Sequence, residues 1–188
     1  AIAAGGYQTC ALAAERVLCW GDFQGYGSAV AEPQQLESFG GTWEGLAAGS
    51  NHVCARDGAA GQMGCWGRSD YGEVGGWSGG ALVHTYIEGI DGIFAGGDLT
   101  CATASRGSAS DVFCFGSGVP MGLGTFGGSV MGPVMFLRDV TAFAASDGHA
   151  CALTGGRVRC AGTNDFGQTG DGTFDYHTGF DVDVLGLR

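Results

Sequence analysis

One recurrence dominates this 188-residue chain. A short strand with one cysteine, a turn, and a second short strand with another cysteine appear four times, as Cys10/Cys19, Cys54/Cys65, Cys101/Cys114 and Cys151/Cys160. Successive first cysteines are 44, 47 and 50 residues apart. The last copy is the plainest: a strand through Ala150-Cys151-Ala152-Leu153, a Gly155-Gly156 turn, a strand through Val158-Arg159-Cys160, then a loop punctuated by Gly162, Gly167 and Gly170. Each copy is preceded by a strand of small residues, such as 46–49, and followed by a more variable one, such as 81–87, 134–137 or 180–185. Four short strands repeating with a period in the forties read as propeller blades. The expected fold is all-β: a single propeller domain, or part of one, over 1–188, with units at about 1–44, 45–91, 92–141 and 142–188.

Within this frame the cysteines face each other across hairpins. Directly opposite residues of antiparallel strands have Cα atoms about 4.5–5.5 Å apart, within disulfide range. Nearest-neighbour pairing is one of about 105 connectivities, and the repeat register selects it: one disulfide per blade. A zinc site would want Cys-x2-Cys or Cys/His clusters, whereas the gaps here are eight, ten, twelve and eight residues. Disulfides imply an oxidising, extracytoplasmic compartment such as the periplasm, the cell surface or an organelle lumen. Large side chains do not fit on an inner strand where several sheets converge, and Ala47, Ala48, Ala95 and Ala145 suit that place. Trp20, Trp66 and Phe115 are expected to pack between adjacent sheets.

Charge excludes several functions. All eight basic residues are Arg, against 19 acidic ones, for a net charge of -11. Such a surface repels phosphate backbones, so nucleic acid is excluded as the expected partner. No apolar run approaches the roughly 20 residues of a membrane span, so direct membrane insertion is not expected. Without Lys there is neither a Schiff-base lysine nor a phosphate-loop lysine.

The sequence Ala-Ala-Gly, then His, Cys-Ala-Leu, Arg-Cys and Gly-x-Asn-x-x-Gly-Gln-x-Gly resembles the regulator of chromosome condensation repeat family, in its disulfide-bearing extracytoplasmic form. The fourth unit carries the match through His149, Cys151, Leu153, Cys160, Gly162, Asn164, Gly167, Gln168, Gly170 and Gly172. The second carries it through His52, Cys54, Cys65, Trp66, Gly67, Gly72 and Gly75. The first unit has a shortened loop, and the third lacks the His and the Asn. The family commonly forms seven-bladed propellers and this chain supplies four units, so ring closure, a partner strand or a further chain is expected to cover the end sheets.

Each candidate site residue also has a structural role to weigh. His52 and His149, two residues before the first cysteine, are expected to bond a loop backbone, while Gln8 and Leu99 hold the other two equivalent positions. His84 and His177 fall on variable strands. Asp165, Asp171, Asp175, Asp181 and Asp183 do not have the spacing of a calcium loop. The hydroxyls sit in turn sequences, and the sequence pairs none of them with a His as nucleophile and base. No catalytic residue, metal or cofactor is therefore expected, and the chain is not expected to be an enzyme.

The candidate partner-binding residues are Met121, Leu123, Phe126 and Trp77. The first three lie where the third unit departs from the repeat into an apolar Met-rich stretch, which marks either an interface or gap-filling core. Trp77 sits in a glycine-rich loop, as a lid over the gap between blades or as a stacking platform. The expected function is a non-enzymatic interaction module or structural subunit that presents propeller loops to another protein or to further copies of the chain. The alternatives are a carbohydrate-binding propeller with a glycan ligand, and an inhibitor of a secreted enzyme. The family's nucleotide exchange on a small nuclear GTPase, with chromatin binding, fits poorly with the disulfides and the negative charge.

Overall fold

In the computed structural model the described residues are 1–14, 16–23, 27, 29–36, 42–58, 61–76, 83–85, 87–117, 129–146 and 148–187, with only the backbone described at 83–85 and 129–136. Among them are fifteen strands and no helix. Blade 1 holds β1 (Ile2–Ala4), β2 (Gln8–Ala13), β3 (Arg16–Gly21) and β4 (Val30–Gln35), paired in that order. Blade 2 holds β5 (Trp43–Ala48), β6 (His52–Asp57), β7 (Gln62–Gly67) and β8 (Val83–Thr85), again in order. Seven strands form the remaining sheet: β9 (Ile90–Gly96), β10 (Leu99–Arg106), β11 (Ala109–Ser117), β12 (Ser129–Ala145), β13 (His149–Thr154), β14 (Arg157–Gly162) and β15 (His177–Asp183).

The seven-stranded sheet differs from the expectation of four separate blades. β12 is 17 residues long and belongs to two blades. Its earlier part pairs with β11 and its later part with β13, and Val140 is opposite both Ser110 and Thr154. The changeover falls beside Asp139, at φ 56. Gly89 is the equivalent residue before β9, since Ile90 and Val140 both pair with the residue three after a first cysteine. Gly89 has φ 75, and Asp is among the few residues that tolerate this left-handed region. One blade thus passes into the next without a break in the strand.

Hairpin register places each cysteine pair directly opposite, Cys10 with Cys19, Cys54 with Cys65, Cys101 with Cys114 and Cys151 with Cys160. All four pairs are disulfides with Cα atoms 4.1 Å apart. Each closes a short loop, worth about 3 kcal/mol on the chain-entropy account. Two residues after each second cysteine comes a glycine at positive φ: Gly21, Gly67, Gly116 and Gly162. There the chain turns out of its strand so that the next amide reaches back. Asp22 N donates to Tyr7 O at 2.8 Å, Arg68 N to Asn51 O at 2.9 Å, Ser117 N to Asp98 O at 2.8 Å and Thr163 N to Gly148 O at 2.8 Å. A Cβ on Gly67 would lie 2.4 Å from Asn51 O and 2.7 Å from the His52 Cα.

The core is divided among the three junctions between blades. Blades 1 and 2 share Cys10, Val17, Cys19 and Phe23 with Trp43, Val53, Ala55 and Trp66. Blades 2 and 3 share Cys54, Met63, Cys65 and Val74 with Ile90, Ala102, Ala104 and Phe115. Blades 3 and 4 share Leu99, Cys101, Val112 and Cys114 with Phe143, Ala150, Ala152, Ala161 and Phe180, where Phe143 meets Phe94 edge-on at 5.4 Å. The disulfide face of one blade therefore seals against the opposite face of the next. Trp66 and Phe115 pack between sheets as the sequence suggests. Trp20, on the face of blade 1 turned away from blade 2, is partly exposed. At the outer edge of blade 1, Pro33 and Glu32 on β4 withdraw a donor and add charge, both of which blunt edge pairing.

A polar column crosses the junctions at the residue two before the first cysteine. Gln8 Nε2 donates to Gly49 O at 3.1 Å and His52 O at 3.0 Å, tying blade 1 to blade 2. His52 Nε2 lies 2.7 Å from Thr100 Oγ1 on blade 3. The Thr100 hydroxyl gives its proton to Glu73 O at 2.7 Å, so it accepts from His52, which is the Nε2-protonated tautomer. The histidine bonds a side chain of the next blade rather than a loop backbone, because the residue that faces it there is a threonine. Burial, reinforced by the charge of Arg68, lowers the His52 pKa to about 4.

Two outcomes follow from this construction. Gly67→Ala should lower stability by about 2 kcal/mol or more, read by thermal or denaturant unfolding, because it forces a side chain into a backbone-filled, positive-φ position. Between pH 6.5 and 4 the unfolded chain takes up a proton at His52 that the native chain refuses. Stability should therefore fall on acidification through that window, by about 3 kcal/mol in total. His52→Gln should flatten that part of the pH–stability curve, as melts across the window would show.

Candidate functional site

The described surface is most distinctive at the loop after β14, residues 163–176. Its organiser is Asn164, which is buried. Asn164 Oδ1 accepts from Thr169 N at 3.0 Å, and Nδ2 donates to Thr173 O at 3.0 Å and Asp171 Oδ1 at 3.3 Å. Asp171 is the second organiser. Its carboxylate accepts from Thr173 N at 3.1 Å, Thr173 Oγ1 at 2.8 Å and Thr169 Oγ1 at 3.2 Å. His177 Nε2 stands 2.9 Å from Asp171 Oδ2, off the hydrogen-bonding direction, and forms an ion pair with it when the ring carries a proton. Desolvation alone would raise the Asp171 pKa, but the Thr173 and Thr169 donors, with His177, hold it well below the usual carboxylate range. Gln168 Oε1 accepts from Phe166 N at 2.9 Å and fixes the tip of the loop.

This framework holds apolar rings out in solvent. Phe166 is 89% exposed and Phe174 72%, with Tyr176 beside them half-exposed. Blade 2 builds the same tip: Tyr71 N donates to Glu73 Oε2 at 2.7 Å, and Gly75 N to Gly72 O as Gly170 N does to Gly167 O. Tyr71 occupies the place of Phe166 and stays 44% exposed although blade 3 stands next to it. The aromatic before the loop glycine therefore points to the rim even where a following blade is present. Sequence reasoning passed over Phe166 and Phe174. The recurring pair Tyr71-Gly72-Glu73 and Phe166-Gly167-Gln168 was the signal for the first; the exposure of Phe174 had none.

The neighbouring acidic residues do not converge. Asp171 is committed to the loop, whereas Asp183 on β15 pairs with Arg159 Nε at 2.8 Å and with Arg157. These two arginines lower the Asp183 pKa. Among the described residues no group of three or more His, Cys, Asp or Glu could hold a metal ion. At the blade 2–3 junction Glu73 is buried, and burial raises its pKa; backbone donors and Arg68 act in the opposite direction. Arg68 also spans to Asp98 on blade 3 at 3.1 Å. This cluster fastens blades together. Trp77, Met121, Leu123 and Phe126 lie outside the described residues, as does the side chain of His84. Among the described residues no helix is long and apolar enough to cross a membrane.

Comparison with known proteins now bears on this arrangement. The regulator of chromosome condensation (RCC1) repeat matches residues 140–168, from the last part of β12 through the loop tip. No curated protein matches in sequence. In fold the chain is similar to human WBSCR16, at 20% identity and a TM-score of 0.80, over 98% of this chain and 52% of that one. It is similar to Prp20p from Saccharomyces cerevisiae, a protein with binding properties to Gsp1p and histones, at 18% identity and 0.75, over 90% and 44%. It also matches the CRINKLY WD40 ectodomain of the Arabidopsis thaliana receptor kinase ACR4, at 22% and 0.58, over 93% and 54%. The chain spans about half the length of these solved chains. It carries the regulator of chromosome condensation repeat and is an all-β propeller of that type of blade, with one disulfide in each of four.

Proposed function

We propose that this propeller is a non-enzymatic protein-interaction module of an extracytoplasmic compartment, and that it meets its partner through the loop rim. The observation that carries the reading is the pair of exposed rings, Phe166 and Phe174, on a loop made rigid by Asn164 and Asp171. A pre-ordered aromatic surface gains contact area without an ordering cost on binding. Prp20p, with its binding to Gsp1p and histones, supports a protein as the partner class. The compartment is supported by four disulfides with no free cysteine, and by the likeness to a receptor-kinase ectodomain. Met121, Leu123, Phe126 and Trp77 are proposed as further contacts of the same kind. A second reading, a carbohydrate-binding propeller, is favoured by carboxylates next to the rings: Asp165 precedes Phe166 and Asp175 follows Phe174.

Phe166→Ser/Phe174→Ser should abolish recovery of the partner in pull-downs from the extracytoplasmic fraction while leaving the melting temperature unchanged. Met121→Ser/Leu123→Ser/Phe126→Ser should weaken recovery in the same way; unchanged binding with a large fall in melting temperature would instead make that stretch core. Glycan-array binding lost in the Phe166/Phe174 variant would replace the protein reading with the carbohydrate one. Asp171→Ala keeps both rings but removes the acceptor that orders them. It should speed amide exchange across 164–175 with little effect on β13 and β14, and weaken partner binding in parallel.

A further inference from the structure

We propose that the cleft between blades 3 and 4, at the rim that carries the hairpin turns, binds an arginine side chain presented by a partner protein. The cleft lies at the opposite strand ends from the 163–176 loop and does not depend on the rim-loop reading above. The repeat itself marks the position. By strand register Glu44, Asp91 and Thr141 are equivalent, three residues before the partner of each first cysteine, and Arg56, Thr103 and Leu153 are equivalent, two residues after that cysteine. In blade 2 the two form an ion pair, with Arg56 Nη2 donating to Glu44 Oε2 at 2.9 Å. The same guanidinium spans to blade 3, where Nη1 donates to Ile90 O at 3.4 Å. Arg56 runs alongside Gly45, where a Cβ would touch its Cβ at 3.8 Å and its Nε at 3.9 Å. In blade 4 neither member is charged, and Thr141 Oγ1 donates to Leu153 O at 3.1 Å. Of these three copies, blade 3 keeps the acid without the base.

Replacing the arginine by threonine leaves a place prepared for a guanidinium. Asp91 Oδ1 accepts from Thr103 Oγ1 at 2.5 Å and Oδ2 from Ser110 Oγ at 2.8 Å, so two hydroxyls orient the carboxylate while its remaining lone pairs stay open. No arginine or histidine among the described residues forms an ion pair with it. Arg106, three residues along β10 from Thr103, pairs with Asp111 instead. Beside Asp91 opens a cleft of about 330 Å³, walled by Gly92, Phe94, Val140 and Phe143 among others. Gly92 repeats Gly45, and Val140 stands where Ile90 receives Arg56 at the preceding junction. Phe94 and Phe143, edge-on at 5.4 Å, occupy the places of Ala47 and Ile93. Aromatic surface beside an ordered carboxylate is the combination that recognises a planar cation. Both blades that wall the cleft are present, so the chain termini play no part in opening it. A net charge of -11 favours a cationic partner at long range. Arginine suits the cleft better than lysine, because its planar fork reaches a carboxylate and a carbonyl at once, as Arg56 does, and lies flat against a ring.

Magnetic resonance titration of the isotope-labelled 188-residue chain with the blocked peptide acetyl-Gly-Arg-Gly-amide tests this. Saturable amide shifts should appear at Asp91, Gly92, Thr103 and Thr141, with a dissociation constant of roughly millimolar order, as one side chain gives. The citrulline peptide, of the same shape without the charge, should give none. The lysine peptide should bind more weakly by about threefold or more. Free L-arginine, whose own carboxylate meets an acidic chain, should also bind more weakly than the peptide. Asp91→Asn should weaken the arginine peptide by about tenfold or more. Thr103→Arg should rebuild the blade 2 arrangement, fill the cleft from within and abolish the shifts while the melting temperature holds or rises. Circular dichroism and intact disulfides check that both variants fold, and Thr103→Arg decides the matter if Asp91→Asn does not. Absence of saturable shifts at tens of millimolar, equal binding of the citrulline peptide, or undiminished binding to Thr103→Arg overturns the proposal. A lysine peptide that binds as tightly overturns the guanidinium assignment, and tighter binding of free L-arginine overturns the protein source. Phe166→Ser/Phe174→Ser should leave the titration unchanged, so this site and the loop rim stand or fall separately.

Discussion

A four-stranded antiparallel sheet of this size has two apolar faces and cannot cover either by itself. In this protein each covered face is covered by the next blade, so burial between sheets holds the structure together. The disulfide face of one blade meets the aromatic and small-residue face of the following one, as Cys54, Cys65 and Met63 meet Ala102, Ala104 and Phe115. Disulfides restrict each hairpin in the unfolded chain, but they bridge strands within a blade and do not join blades. Nearest-neighbour burial of this kind is how repeat architectures accumulate stability.

Polar groups set the register of that burial. Where an apolar face slides against another, little but shape resists displacement. Gln8, His52 and Thr100 add hydrogen bonds that exist only when blades stand in register. His52 stays neutral because burial and Arg68 both disfavour its charge. The glycine two residues after each second cysteine keeps the adjoining loop close enough to reach the next blade, as Glu73 reaches Thr100. The continuous strand β12 secures the third and fourth blades more directly, by making their junction a matter of backbone pairing.

The rim loops share this duty unequally, and there the copies diverge. Blade 2 uses its loop to hold blade 3 through Arg68, Glu73 and Val74. Blade 4 retains the tip geometry but directs its polar groups inward, at Asp171 and Asn164, and leaves Phe166 and Phe174 in solvent. A loop that is ordered by its own hydrogen bonds can display apolar side chains without collapsing around them. That combination is what a recognition surface needs, and it is why the fourth blade bears the functional proposal.

The blade count, the hairpins and the opposition of each cysteine pair were legible in the sequence, because strand alternation, turn residues and the Cys-to-Cys interval are local properties. The role of Asn164 as a turn former was legible too, through the repeat. What lies between blades was not. Nothing local distinguishes Trp20, open on one side, from Trp66, sealed by blade 1, since they occupy the same place in the repeat. The partner of His52 was missed for the same reason: Thr100 is 48 residues away and belongs to the next blade. Asp139 has a positive φ, yet with its neighbours paired on both sides the strand continues through it. The sequence alone determined each blade, as local pairing does; only the tertiary structure decided which faces are covered, because that depends on a neighbouring sheet distant in sequence.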